Sequence, residues 1–327
     1  MIVLGGLDAS GKSTICNGLK DYYNGEVTHF SNPKDLEDGK KQYFNFINKT
    51  ELDKFYICDR YHDGEWVYAP IYRNYVADYM EELENEIIKK HNYLFVYVKA
   101  ELNTIIERIK SRGEDFVKPE HYQTIMDNYE NIYLMSQNMP FTVIDTTNGS
   151  IEHNVKKAID DYSKVEKIWS IYKNCKRCDD ITTPMSLPRG NIRAKYMIVG
   201  QNPAGKGKLD NNFLPMFTND TKSKFLIDIL KENGIYLDCW FTNIVNCSTK
   251  DNKVNKDQKN NCLSRLQLQI DLIKPQKIIC LGNEAFSQIN KLSNIENIQI
   301  IKVPHYSYIK RFNNNEDKIK EYKNLFK

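Results

Sequence analysis

The sequence predicts an α/β protein of two domains, each a parallel sheet flanked by helices. Three observations carry that expectation. A glycine-rich turn, Gly6-x-x-x-x-Gly11-Lys12-Ser13, follows directly on the apolar run Ile2 to Leu4, which is the strand, turn and helix-start pattern of a P-loop. Short apolar runs alternate with helix-like segments through both halves of the chain, as crossover helices on a parallel sheet require. A chain of 327 residues also exceeds what one hydrophobic core usually organises.

The first half is read in order from that turn. Glycines let the backbone aim successive N–H groups at phosphate oxygens. Lys12 then reaches the β/γ end of a nucleotide such as ATP, and the Ser13 hydroxyl can ligate Mg²⁺. Ile15 to Tyr23 reads as the helix leaving the phosphate site, Val27 to Ser31 as a strand and Tyr43 to Leu52 as a helix. Lys54 to Cys58 is a strand that delivers Asp59-Arg60. An acidic residue at the C-terminal end of a parallel strand can hold Mg²⁺ or accept the proton of an attacking group. Val76 to Lys90 reads as a helix whose EELENEIIKK run is a solvated face, and Tyr93 to Val98 as a strand buried on both sides. Glu101 to Arg112 is helical and sets Arg108 and Arg112 one turn apart, where they can clamp a phosphoryl group. Glu120 to Ser136 is a further helix, and Phe141 to Ile144 a last strand.

Ile151 to Tyr172 reads as a helix joining the halves, with the boundary at 1–165 and 166–327. In the second half Lys195 to Val199, Leu237 to Ile244, Gln276 to Leu281 and Ile298 to Val303 read as strands. Helices fit between them at Lys222 to Asn233, Lys259 to Ile273 and Asn283 to Lys291. Polar residues gather beyond the C-terminal ends of these strands, at Gln201-Asn202, Asn243 and Pro304-His305, where ligands of open parallel sheets bind.

The net charge of +3 conceals an asymmetry. Met1 to Ser163 carries 18 Lys/Arg against 27 Asp/Glu, a net of −9, and Lys164 to Lys327 carries 28 against 16, a net of +12. A polyanionic partner such as DNA is therefore expected for the second half alone. No apolar stretch approaches 18 residues and no basic-plus-apolar leader opens the chain, so a cytosolic protein without a membrane span is expected. In that compartment the eight cysteines read as thiols or metal ligands. Cys175-x-x-Cys178, completed by Cys247 and Cys262, suits either zinc or a [4Fe–4S] cluster; Cys239 and Cys280 sit in apolar runs as small buried hydrophobes.

Residues 1 to 160 resemble the thymidylate and deoxynucleoside kinase group of P-loop proteins. The likeness rests on the P-loop with Thr14 after it, the Asp59-Arg60 step, and the Glu107-Arg108 to Arg112-Gly113 stretch, which looks like an arginine-bearing lid. It implies ATP and Mg²⁺ held at Gly6, Gly11, Lys12, Ser13 and Thr14, with Asp59 near the acceptor and Arg60, Arg108 and Arg112 on phosphates. His62 to Arg73, HDGEWVYAPIYR, departs from the usual thymidylate kinase wording. A thymidylate-like or 5-modified pyrimidine deoxynucleotide, or a hydroxyl on a base within DNA, is the implied acceptor.

Residues 175 to 312 resemble the uracil-DNA glycosylase superfamily, most closely its iron–sulfur class. The spacing from Cys178 to Cys247 is 69 positions, and from Cys247 to Cys262 it is 15. That pattern is nearly the one in which the class ligates its cluster, which raises [4Fe–4S] above zinc. By the same resemblance Gln201 and Asn202 face the glycosidic bond, Phe213 stacks on the base with Phe217 as its rival, Asn243 reads the base edge, and His305 steadies the leaving oxygen. Two departures are plain: VGQNPAG has no acidic residue and is nearer the mismatch-specific branch, and the last motif reads PHYSY. The combined expectation is a bifunctional enzyme that phosphorylates a pyrimidine deoxynucleotide and recognises, then excises, a pyrimidine in DNA. The alternative is a kinase for a hydroxymethylated base in DNA, guided by a non-catalytic DNA-binding module. The Lys-, Asn- and Ile-rich composition is compatible with an AT-rich bacteriophage genome, and so with action in a host cytoplasm.

Overall fold

The computed structural model describes residues 1–113, 117–134, 139–178, 181–203, 214–215, 223–249, 253–309, 311 and 315–326. These form two compact units, Met1–Glu166 and Lys167–Lys327, and the division falls within the helix Ile151–Lys173.

In the first unit, strands β1 (Ile2–Gly5), β2 (Glu26–His29), β3 (Tyr56–Asp59), β4 (Leu94–Lys99) and β5 (Pro140–Asp145) lie in the order β5-β4-β1-β3-β2, and every pairing is parallel. Ile2, Val3 and Leu4 are fully buried, as befits a central strand covered on both faces. Register then does the positioning. Leu4 pairs with Asp59 across β1 and β3, and the Arg60 N–H donates to Leu4 O at 2.8 Å. The loops leaving these two strands therefore open side by side.

Several expectations shift. The helix His62–Tyr72 has no assignment in the sequence reading: it buries His62, Asp63 and Glu65 along with Val67 and Ala69, and it contains Pro70, so the apolar periodicity of an amphipathic helix is absent. The EELENEIIKK run is not a solvated face. Leu83, Glu84, Ile87 and Ile88 of the helix Met80–Lys90 are buried, a one-sided stripe amid exposed Glu81 and Glu82. The expected helix from Glu120 is instead a 3₁₀ turn at Pro119–His121, an α-turn at Tyr122–Asp127 and a π-helical stretch at Asn128–Tyr133, which turns Tyr129 and Tyr133 inward.

In the second unit β7 (Arg189–Asn191), β8 (Tyr196–Gly200), β10 (Cys239–Asn243), β12 (Lys277–Leu281) and β13 (Gln299–Val303) follow the order β13-β12-β8-β10-β7. All pairings are parallel except that of β7 with β10. A separate small sheet joins β6 (Ile181–Leu187), β9 (Leu214–Pro215) and β11 (Cys247–Thr249). Met197, Ile198, Val199, Trp240, Ile278 and Ile279 form the core layer, and Cys239 and Cys280 are buried within it.

A polar thread crosses that core. The Trp240 indole N–H donates to Gln269 Oε1 at 2.8 Å, and Gln269 Nε2 donates to the Tyr172 hydroxyl at 2.6 Å. Gln269→Leu keeps the volume but leaves the buried indole N–H without an acceptor. The expected loss is about 2 kcal/mol, read as a lower urea midpoint at unchanged m-value by tryptophan fluorescence. An unaltered midpoint would show the thread to be dispensable.

Candidate active sites

The phosphate loop is fixed by close backbone approach. Gly6 has φ 144°, and a Cβ there would run into the Val98 carbonyl; Gly11 has φ 96°, a region open chiefly to glycine. The helix Lys12–Tyr23 begins at Lys12. The Lys12 ammonium is buried and donates to Gly6 O and Leu7 O, both at 2.8 Å. Burial, then the nearby Arg60, brings its pKa down to about 8.

At the mouth of the loop Ser13 Oγ donates to Asp59 Oδ2 at 3.1 Å. The adjacency of β1 and β3 thus sets a hydroxyl beside a carboxylate, the oxygen donors that Mg²⁺ prefers. His29, at the end of β2, lies 3.4 Å from the same Oδ2. Arg60 adopts φ 65° and pairs with Asp8 of the loop itself. Its guanidinium lies 5.4 Å from the centre of the Tyr68 ring.

Two cavities flank the loop. One, of about 200 Å³, is lined by Ala9, Gly11, Thr14, Arg108, Arg112, Thr146 and Asn154 among others. Arg108 uses its donors here on Ala9 O (3.2 Å), Thr146 Oγ1 (3.0 Å) and Thr146 O (2.7 Å). It braces the loop against the end of β5. The other cavity, of about 310 Å³, is aromatic, with Phe30, Tyr43, Tyr61, Tyr68 and Tyr72 around Asp8, Arg60, Glu65 and Arg73. Glu65 is fully buried and accepts from Arg73 and from the Tyr75 hydroxyl; burial raises its pKa.

The expected kinase residues Gly6, Gly11, Lys12, Ser13, Thr14, Asp59, Arg60, Arg108 and Arg112 thus surround one loop. Asp8, Glu65 and Arg73 escaped the sequence reading. A carboxylate at a variable P-loop position was the available signal for Asp8; Glu65 and Arg73 carry none, since their pairing arises only once the helix is buried.

In the second unit the expected residues lie along the carboxyl edge of the sheet. Gln201 and Asn202 follow β8, Asn243 ends β10 and is buried, and His305 follows β13. Asn202 Nδ2 donates to Pro203 O at 3.2 Å and to Thr249 Oγ1 at 3.3 Å. His305 Nδ1 accepts the Ser307 backbone N–H at 3.2 Å and contacts Ser307 Oγ at 2.8 Å. A backbone N–H can only donate, so the ring proton of a neutral His305 is assigned to Nε2. Burial lowers the His305 pKa and favours that neutral form. Phe213 and its rival Phe217 lie outside the described residues.

Cys247 begins β11 and Cys262 lies on the helix Lys256–Ile273, both buried; Cys175 and Cys178 are half-buried. Burial, then the neighbouring Cys262, Cys175 and Cys178 thiols, pushes Cys247 up to about 12. Among the described residues no three His, Cys, Asp or Glu form a group that could hold a metal ion. The Arg265 guanidinium lies 4.0 Å from Cys262 Sγ, and Asn261 Nδ2 lies 3.6 Å from Cys178 Sγ.

Residues 36–159 match the thymidylate kinase family model, and residues 187–327 match that of the uracil DNA glycosylase superfamily. The chain is 27% identical over 119 residues to the type-5 uracil-DNA glycosylase of Pyrobaculum aerophilum, covering 32% of this chain and 52% of that protein. It is 28% identical over 128 residues to the type-4 enzyme of the same organism, covering 36% and 60%. The chain thus spans little more than half the length of these curated relatives. The uncharacterized SPbeta prophage-derived protein YorR of Bacillus subtilis is 24% identical over 135 residues, 40% of this chain and 81% of that one. The structure of YorR in complex with phosphorylated GDP has a TM-score of 0.42 at 21% identity, covering 48% of this chain and 92% of that one. Deoxyadenosine kinase from M. mycoides with bound dCTP has a TM-score of 0.35 at 21% identity, covering 50% and 99%.

The lowered pKa of Lys12 has a measurable consequence. Its positive charge is present below about pH 8 and is lost as the pH rises through that value. Affinity for ATP is expected to weaken above it by up to about tenfold per pH unit. Lys12→Arg, whose guanidinium stays charged, should flatten the profile. A wild-type affinity constant from pH 7 to 9.5 at fixed free Mg²⁺, by calorimetry, would contradict this.

Proposed function

Because the chain joins a thymidylate-kinase-like unit to a uracil-DNA-glycosylase-like unit, we propose a bifunctional enzyme of pyrimidine deoxynucleotide or DNA-base metabolism. The first unit transfers the γ-phosphoryl group of ATP to a pyrimidine deoxynucleoside-type acceptor. The observation that carries this is the 3.1 Å Ser13–Asp59 contact at the P-loop, with a separate cavity on each side of the loop. Loop N–H groups and Lys12 bind the polyphosphate, and Ser13 and Asp59 hold the Mg²⁺ that accompanies it. The cavity at Thr14 and Arg112 suits the donor nucleoside and the aromatic one the acceptor.

The second unit reads a flipped pyrimidine and excises it. Removing a base requires stabilising the charge that develops on the departing ring. A neutral His305 with its proton on Nε2 supplies a donor for that charge, buried Asn243 a base-reading amide, and Asn202 a means of orienting water. VGQNPAG has no carboxylate, so the expected chemistry is slow. Cys175, Cys178, Cys247 and Cys262 would hold a [4Fe–4S] cluster. The donor set of four thiols fits, and Arg265 offers a compensating charge. The preference for a four-iron group over zinc rests on the likeness of the Cys175, Cys178, Cys247 and Cys262 spacing to that of the iron–sulfur class. Such a cluster would brace the segment after the helix Ile151–Lys173, which carries Cys175 and Cys178, against Cys247 of β11.

A second reading has its own support: with Asn202 engaged by Pro203 and Thr249, the second unit serves as a DNA-binding module for a kinase that acts on a hydroxymethylated base.

Lys12→Ala and Asp59→Asn should each abolish Mg²⁺-dependent transfer from labelled ATP, and transfer undiminished in both would refute the kinase assignment. In single-turnover incubations with duplexes containing uracil, a thymine mismatch or hydroxymethyluracil, His305→Ala should slow base release about a hundredfold while DNA affinity holds. Tight binding without base release from any duplex would favour the module. Anaerobically purified protein should carry about four irons and four sulfides per chain; stoichiometric zinc without iron would overturn the cluster.

A further inference from the structure

The helix Ile151–Lys173 opens with a buried amide that no described residue uses. Its first three residues, Ile151, Glu152 and His153, are exposed, and Asn154 is the first to turn inward, at 4% exposure. An asparagine at a helix start is ordinarily spent as a cap, but here Ser150 has that role. Its Oγ accepts the His153 N–H at 3.2 Å, and its carbonyl accepts the Asn154 N–H at 3.1 Å. Asn154 Oδ1 and Nδ2 make no hydrogen bond with any described residue. A buried amide without partners is costly, and native proteins satisfy nearly all such groups.

Asn154 lines the smaller cavity of the first unit, of about 200 Å³, which runs from Gly11 and Thr14 at the phosphate loop to Arg112 and Gly149. Gly149 leaves the amide its room: a Cβ there would stand 3.0 Å from both Asn154 Oδ1 and Nδ2. The amide presents a donor and an acceptor side by side. A phosphate offers acceptors alone, so the phosphate end of a ligand leaves Oδ1 unsatisfied, whereas a nucleobase edge matches both atoms. Adenine carries its 6-amino donor beside the N7 acceptor and takes an asparagine amide in two hydrogen bonds; guanine puts two acceptors, O6 and N7, on the same edge. Arg108 and Arg112 border the cavity as well, and a guanidinium plane stacks on a flat ring.

Resting on the reading of the first unit as a kinase with its donor nucleotide in this cavity, we infer that Asn154 selects the base of the phosphoryl donor, holding adenine through its 6-amino group and N7. Donor choice is thereby separated from phosphate binding. Lys12 and the loop N–H groups hold the polyphosphate of any nucleoside triphosphate alike, and Asn154 distinguishes among the bases. Adenine completes both hydrogen bonds of the amide, while guanine sets one of its acceptors against Oδ1 and leaves that buried oxygen unpaired. The first unit should therefore bind ATP in preference to GTP, although the two make the same phosphate contacts.

The test is calorimetric titration of the full-length protein with ATP, GTP, 7-deaza-ATP and inorganic tripolyphosphate at fixed free Mg²⁺, in wild type, Asn154→Leu and Gly149→Ala. Wild type should bind ATP at least about tenfold more tightly than GTP or 7-deaza-ATP. Asn154→Leu, which keeps the volume, should bring the three nucleotides level while tripolyphosphate binds as in the wild type, which also shows that the variant is folded. Gly149→Ala, which crowds the amide without removing it, should narrow the gap in the same direction. Equal wild-type affinity for ATP and GTP, or for ATP and 7-deaza-ATP, overturns the inference and leaves the kinase reading standing. A preference for ATP that survives in Asn154→Leu overturns it too, as does a loss of tripolyphosphate binding equal to that of ATP, which marks a structural role. Failure of the wild type to bind any nucleotide or tripolyphosphate overturns the kinase reading along with it.

Discussion

The first unit depends on how closely its phosphate loop approaches the neighbouring strand. Gly6 admits no side chain because the Val98 carbonyl occupies that space, so the loop is pressed against β4 at the centre of the sheet. From that contact the rest of the site follows. The chain turns back at Gly11 into the helix Lys12–Tyr23, which brings the Lys12 ammonium over the carbonyls of its own loop. The Leu4–Asp59 register carries a carboxylate to the Ser13 hydroxyl. Arg108 and Thr146 close the far side: the Thr146 hydroxyl donates to Ser10 O at 2.7 Å, while Arg108 bridges Ala9 O and Thr146 O. Of the two arginines that resemble phosphate clamps in sequence, one has its donors engaged by the loop and the strand end. Arg108 is largely committed to holding the loop, and Arg112 lines the same cavity.

The second unit positions its residues by a different device. Its four parallel strands end along one edge, and a sheet that binds ligands at its carboxyl edge needs only strand-end residues to form a site. His305 is oriented by a very local bond from the Ser307 backbone N–H, and Asn202 by Pro203 O beside it and by Thr249 Oγ1 from β11. The tautomer of His305 is therefore fixed within three residues of chain, independently of the core. The core instead depends on the Trp240–Gln269–Tyr172 thread.

What could be read from the sequence divides along the same line. Features fixed by local chemistry were legible: the P-loop from its glycines, the buried parallel strands from apolar runs such as YLFVYV, and Asn243 and His305 from their position after a strand. Features that exist only through distant pairing were not. The helix His62–Tyr72 hides in a stretch rich in polar residues, because His62, Asp63 and Glu65 are buried by partners elsewhere: Tyr129 donates to Asp63, and Arg73 and Tyr75 to Glu65. The short strands β6, β7 and β11 contain or adjoin Pro184, Gly190 and Asn246, which obscure any strand period. The cysteines were read as a set of four from their spacing alone, and sequence interval carries no information on how far apart the sulfurs stand; among the described residues no three His, Cys, Asp or Glu form a group that could hold a metal.

The opposite charges of the two halves acquire a meaning once the acceptor is considered as chemistry. A surface of net −9 repels a phosphate backbone at long range, and one of net +12 attracts it. Under the proposed reading, an acidic first unit could not recruit a DNA acceptor by its own charge, so the basic unit would have to supply the attraction, and separating the two would spare nucleotide binding while transfer to DNA is lost. A free deoxynucleotide acceptor imposes no such dependence. The charge asymmetry is therefore a requirement only where both units act on one DNA molecule.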